Sequence, residues 1–266
     1  MKKLFFLLFI SFLSFVSFAQ KRDYRWYFNY YPKATLNFNT APPATTSVPV
    51  GFTVEASSSM ADSVTGALLF YMNRDTVWDR TNVKFPNGQG LSTAATTPTQ
   101  MLTLPMPGNN NKYYIITTYA PSASPLLSGV SYSIVDMALN GGMGDIIPAQ
   151  KNIVAVNTGA DKISEGLTAI KHANGYDWWV LSHGLTPGQN DKRYYIFLIT
   201  GAGVQPVTTQ DIGTSRTNTT SYLVTSPDGK KVCSVDIQGH VNLFDFDRCT
   251  GTLGNFLKFR DKFFFL

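Results

Sequence analysis

The sequence predicts an all-β fold of propeller type, with about four four-stranded blades forming an incomplete ring. Three observations point there. The composition suits strands and turns: 15% of the 266 residues are charged, against 44% hydrophobic with 13 Tyr, 19 Phe and 4 Trp. Hairpin turn signals recur four times. Each is followed by a second aromatic strand, and the marker aromatics Trp78, Tyr132, Tyr195 and Phe244 recur roughly every 50 to 60 residues, slightly longer than one blade.

The chain opens on an export signal over residues 1–19. Lys2 and Lys3 supply the basic start, Leu4 to Phe18 the apolar run, and Ser17-Phe18-Ala19 a cleavage site of small residues. A membrane anchor is the alternative, but an apolar stretch of about 15 residues is short for a span, which needs roughly 20. Cleavage leaves residues 20–266 as the propeller domain, with no membrane span.

Each blade begins with a hairpin. Its turn is Thr65-Gly66 before Leu68 to Tyr71, Asn109 to Lys112 before Tyr113 to Ile116, Asn174-Gly175 before Trp178 to Val180, and Asp228-Gly229 before Val232 to Val235. Asn-Gly and Asp-Gly are strong hairpin signals because both central residues need positive φ. The next strands are Thr76 to Trp78, Val130 to Val135, Arg193 to Ile199 and His240 to Phe246. Gly- or Asn-rich exits follow at Asn87 to Gly90, Asn140 to Gly142, Gly201 to Gly203 and Thr250-Gly251. Glu165 to His172 is the best helix candidate, yet its alignment with the other units makes it a strand. A β-sandwich also reads as short strands with turns, but it does not usually repeat a two-hairpin unit four times.

Ser226-Pro227-Asp228-Gly229-Lys230 is the most specific segment: Pro presets φ, Asp accepts backbone N–H bonds and Gly takes the left-handed position. With it, Trp26-Tyr27-Phe28, Gly66 to Tyr71, Val77-Trp78 with Pro86-Asn87-Gly88, and Pro107-Gly108-Asn109 with Tyr113-Tyr114-Ile115 occur in order. Tyr132 to Met137 with Leu139 to Gly142, Leu167 to His172 and Leu243 to Asp247 complete the series. The chain resembles the N-terminal propeller (WD40-like or YVTN-like repeats) of large secreted Bacteroidetes proteins with gliding-motility-associated C-terminal sorting domains. The resemblance implies type IX secretion and placement outside the cell or on its surface. It departs from the pattern by stopping at Phe263-Phe264-Phe265-Leu266, so the chain reads as a truncated fragment.

Chemistry is harder to find. The net charge is +5, with Lys and Arg scattered, so no nucleic-acid footprint is expected. Of the three histidines, His172 and His183 flank Asn174-Gly175, and no metal-ligand spacing joins them to His240. Adjacent Ser182 and His183 point to opposite strand faces, which spoils a nucleophile–base pair. Asp245 and Asp247 with Asp236 form a candidate acidic patch that lacks a calcium-loop pattern. If Gln238-Gly239 is a two-residue turn, Cys233 faces Phe244 and Cys249 faces Asp228. The sulfurs then lie about 17 Å apart at about 3.4 Å per residue, too far for a disulfide. Tyr113-Tyr114, Trp178-Trp179 and Tyr194-Tyr195 place one ring on each side of a blade: mostly core, with rim rings free to stack on sugars or peptides. No catalytic, cofactor or metal residues are assigned. The expected function is a non-catalytic scaffold or binding surface for protein or glycan. The alternative is a propeller-type enzyme (lactonase, lyase or quinoprotein-like) with an incomplete site.

Overall fold

The computed structural model describes residues 20–28, 34–47, 56–93, 100–119, 129–158, 162–185, 191–216, 221–237 and 239–260. The expected export signal (1–19), Gln238 and the terminal Phe263–Leu266 run lie outside the described residues. The first sheet has three strands, β1 (Arg25–Phe28), β2 (Ala34–Asn37) and β3 (Ala44–Ser47). The second is a four-stranded meander of β4 (Ser57–Ala61), β5 (Leu68–Asn73), β6 (Thr76–Asp79) and β7 (Lys84–Gln89).

The third sheet runs β8 (Met101–Pro105), β9 (Lys112–Tyr119), β10 (Gly129–Asp136), with its outer edge in two pieces, β11 (Asp145–Ile146) and β12 (Ile153–Asn157). The fourth repeats that plan: β13 (Lys162–Lys171), β14 (Trp178–Leu185), β15 (Asp191–Thr200), then β16 (Gly203–Val204) and β17 (Thr208–Arg216). The last sheet is β18 (Ser221–Thr225), β19 (Lys231–Asp236), β20 (His240–Asp247) and β21 (Thr252–Arg260).

All pairings among the described strands are antiparallel, and the first strands β1, β4, β8, β13 and β18 follow one another as neighbours. That is a propeller arc: each sheet is a blade whose first strand lines the axis. The four hairpin turns and the Glu165–His172 strand stand where the sequence placed them. The three-stranded sheet ahead of them is an addition that the repeat did not signal.

Each pair of neighbouring blades encloses its own apolar layer. Tyr27 stacks on Tyr71 at 4.3 Å and Tyr71 on Trp78 at 5.5 Å between the first two sheets. Phe70, Met72 and Phe85 meet Tyr113, Ile115 and Val135 between the second and third. Ile116 and Val130 meet Leu167, Val180 and Phe197 next, and Leu181, Tyr194 and Ile196 meet Val232, Phe244 and Leu253 last.

The axis is stitched by small polar side chains. Ser57 Oγ donates to the Tyr27 carbonyl (2.6 Å) and Ser59 Oγ to that of Arg25, tying β4 to β1. Thr103 Oγ1 contacts Ser58 Oγ (2.9 Å) and donates to the Ser59 carbonyl (3.1 Å), tying β8 to β4. Gln100 then imitates a strand: Oε1 accepts the Leu167 (3.0 Å) and Leu223 (2.8 Å) amides, and Nε2 donates to the Leu223 carbonyl (3.0 Å). Inner strands leave backbone edges facing the axis, and these side chains satisfy them.

Three expectations are corrected. Asn87 to Gln89 is not an exit but part of β7; Gly88 is needed there because a Cβ would sit 2.8 Å from the Val77 carbonyl oxygen. The β19–β20 turn is one residue off the expected register: Val235 faces Val241 and Cys233 faces Leu243. Asp236, taking two bonds from His240 (backbone N to Oδ1, 3.0 Å; Nδ1 to Oδ2, 3.0 Å), draws the chain into a longer loop than two residues. Third, Asp236 is buried on the opposite sheet face from Asp245, so no three-aspartate patch exists. Both cysteines are free.

Candidate functional site

The β13–β14 hairpin places Lys171 directly opposite Trp178. The Lys171 ammonium lies 3.8 Å from the Trp178 ring centre and donates to the Tyr176 carbonyl (3.0 Å). The indole N–H is fixed on the Pro105 carbonyl (3.1 Å), which ties the ring to the end of β8. Burial, reinforced by the charge of Arg22 and opposed by Asp177, lowers the Lys171 pKa to about 8.

Arg248, just past β20, reaches across to the same hairpin. It donates from Nε to the Lys171 carbonyl (2.7 Å), from Nη2 to that of His172 (3.2 Å) and from Nη1 to that of Asp228 (3.2 Å). Three of five guanidinium donors are used, and all three acceptors are neutral. The Ser226–Lys230 turn forms the opposite wall. Asp228 Oδ1 accepts the Ser226 hydroxyl (2.6 Å) and the Lys230 amide (3.0 Å), bonds that hold its carboxyl below the usual range. Gly229 sits at φ +69°, and a Cβ there would come within 2.9 Å of Ile170.

These walls enclose a cavity of about 630 Å³ with Asp23, Lys171, Trp178, Ser226, Lys230 and Arg248 on its lining. An adjoining cavity of about 280 Å³ shares Asp23, Ala169 and Trp178 and adds Arg22. Together they form a mouth at one end of the axis. A cavity of about 420 Å³ between Trp26–Phe28 and Ser57–Ser59 has no charged side chain on its lining.

A second polar cluster lies sealed between the last two blades. Arg216, fully buried, sits 3.0 Å from Asp236 and donates to Ser234 Oγ at 2.6 Å. His183 is also fully buried, edge-on to Tyr194 at 4.5 Å, and burial beside Arg216 lowers its pKa to about 3. A neutral, enclosed imidazole facing a guanidinium is structural, not a general base.

The residues singled out from sequence are thus dispersed. His172 ties its turn to the Cys249 carbonyl (3.2 Å), His183 is core, and His240 serves Asp236. Ser182 and His183 pair with different partners, Tyr195 and Tyr194, on opposite faces. Asp245 pairs with Lys231, and Asp247 accepts the Cys249 amide (2.7 Å). Among the described residues no three His, Cys, Asp or Glu side chains gather as a metal site. Tyr113, Tyr114, Tyr194 and Tyr195 are core, as expected, whereas Trp178 is the rim ring. Lys171 and Arg248 went unnoticed. A turn centred on Asn174-Gly175 does set Lys171 against Trp178, so that half of the site was readable.

Fold and groove define a propeller-type module with a basic, tryptophan-walled axial mouth. No family model and no curated protein matches the chain. Among solved structures it is similar to the periplasmic gluconolactonase of Pseudomonas aeruginosa (TM-score 0.49, 17% identity, 86% of this chain and 63% of that one). It is also similar to the Cps50 (Swd1) β-propeller domain of Myceliophteria thermophila (TM-score 0.43, 13% identity, 86% and 65%). A third likeness is to an exo-β-1,3-galactanase of Phanerochaete chrysosporium (TM-score 0.43, 10% identity, 72% and 42%). The chain spans less than two thirds of the length of each of these three. These are likenesses of fold, and the functional argument rests on this chain's own residues.

Proposed function

We propose that the chain is a secreted or cell-surface, non-catalytic β-propeller module that presents a binding surface for a glycan or protein. The observation that carries this reading is the groove at the axial mouth, where Trp178, Lys171 and Arg248 form a wall fixed by hydrogen bonds to backbone carbonyls. Such a wall offers shape, an aromatic surface and charge. The export signal over residues 1–19 supports placement outside the cell.

The alternative reading, a lactonase-, lyase- or quinoprotein-like enzyme, needs polar groups converging freely on the axis. Here Ser57, Ser59, Thr103 and Gln100 spend their polar atoms on neighbouring strands. The test is to immobilise the exported protein, pass a glycan panel over it, and assay lactone hydrolysis in parallel. Saturable retention without turnover is expected; lactone hydrolysis with no retention overturns the proposal. N-terminal sequencing of the exported protein is expected to start at Gln20, and a start at Met1 removes the cleaved-signal reading.

A further inference from the structure

The groove holds an imbalance that its own residues do not relieve. Lys171, Lys230 and Arg248 face it, yet none belongs to the ion pairs found among the described residues. Arg248 is pinned by neutral carbonyls, which fix its position without compensating its charge. Lys171 is half-buried over the Trp178 ring, and burial first, then the charge of Arg22, lowers its pKa to about 8 against the opposing charge of Asp177. A ligand anion beside it reverses that cost.

The acids in the groove narrow the ligand further. Asp23 and Asp228 share the lining with the cations, so a chain of carboxylates meets repulsion on that side. One carboxylate among hydroxyls meets none: the anion takes the Lys171 side, and the carboxylates of Asp228 and Asp23 accept from hydroxyls. The apolar surface that Trp178, Ile170 and Pro227 contribute to the lining suits the C–H face of a sugar ring.

We propose that the axial groove selects a saccharide bearing a single carboxylate, its ring along Trp178 and its carboxylate against Lys171. This rests on the binding-module reading above. The charged groups facing Lys171 are Arg22, Arg248 and Lys230 on the positive side and Asp23, Asp177 and Asp228 on the negative. The Lys171 pKa is lowered to about 8, so affinity for the acid sugar falls as pH rises through about 8.

The experiment is titration calorimetry of the exported chain with a glucuronate-terminated disaccharide and with its neutral glucose-terminated counterpart, at pH 7 and pH 9.5. The acidic sugar is expected to bind about tenfold more tightly at pH 7, with most of that preference gone at pH 9.5. Lys171→Met is expected to abolish the difference between the two sugars, whatever the affinity common to both becomes; Lys171→Arg is expected to retain the preference at both pH values. Equal affinity for both sugars at pH 7 overturns the carboxylate inference and leaves the binding module standing. Tighter binding of an oligoglutamate peptide than of either sugar overturns the saccharide assignment. Retention of neither sugar overturns the saccharide inference, whereas the binding-module reading is overturned by lactone hydrolysis without retention in the preceding test. Should Lys171→Met fail to fold, the pH dependence of the unmodified chain decides alone.

Discussion

The last blade has two faces that look alike in sequence and differ in environment. On one, Leu223, Val232 and Phe244 are at most 1% exposed against the preceding blade. On the other, Tyr222, Val235, Val241 and Phe259 stand in a row across four strands, and Val224, Cys233, Leu243 and Leu257 form the next. Of these, Tyr222, Val224, Phe259 and Leu257 are 46%, 54%, 49% and 54% exposed. Apolar residues on both faces are the pattern of a strand covered on both sides. Coverage, however, comes from a neighbouring sheet, and period two carries no word of that neighbour. The fourth blade shows the other case, with Val180 and Leu181 both fully buried between sheets.

The largest expected difference between the faces is energetic. Phe244→Ala empties the buried layer and is expected to cost about 3–5 kcal/mol in chemical denaturation. The polar part of the same interface gives a second contrast. Arg216→Met removes the buried guanidinium from Asp236 and is expected to cost about 3–5 kcal/mol, whereas Lys231→Met, removing the exposed pair with Asp245, costs less than about 1 kcal/mol. Equal losses from the two would break the comparison.

Acid sharpens it next. The folded-state pKa of His183 lies near 3, below its unfolded value of 6.5, so its contribution is complete above pH 6.5 and lost as pH falls toward 3. Stability is expected to fall by up to about 1.4 kcal/mol per pH unit in that window, and His183→Gln removes this part of the slope. Unfolding midpoints of both proteins between pH 4 and 7 check it; parallel curves refute it. The smallest effect is on the open face. Tyr222→Ser with Leu257→Ser is expected to change stability by less than about 1 kcal/mol and to lower the fluorescence of a bound apolar dye. A loss as large as that of Phe244→Ala would mean that this face is covered in solution.

Much of the fold was legible because hairpin turns are local. Gly175 and Gly229 take positive φ (78° and 69°) while Asn174 and Asp228 do not, and the turn glycines located both β13–β14 and β18–β19. The loop at 236–240 misled because a side chain, Asp236, set its length through bonds to His240 that no turn rule contains. The one-residue shift exchanged partners along the whole ladder. The first sheet went unread because it lies outside the repeat. The groove was half legible: cross-strand pairing put Lys171 opposite Trp178, but Arg248 arrives from a different blade, some 77 positions along the chain.

The sequence by itself determined that the chain is all-β and repeats a four-strand unit, because strand alternation and turn glycines act over a few residues. Tertiary structure alone decided the rest: which face of the last sheet is covered, how Gln100 bridges β8 to β13 and β18, and how three cations come to share one groove. The reason is physical. Burial and unpaired charge are properties of neighbours in space, and those neighbours come from blades far apart in the chain.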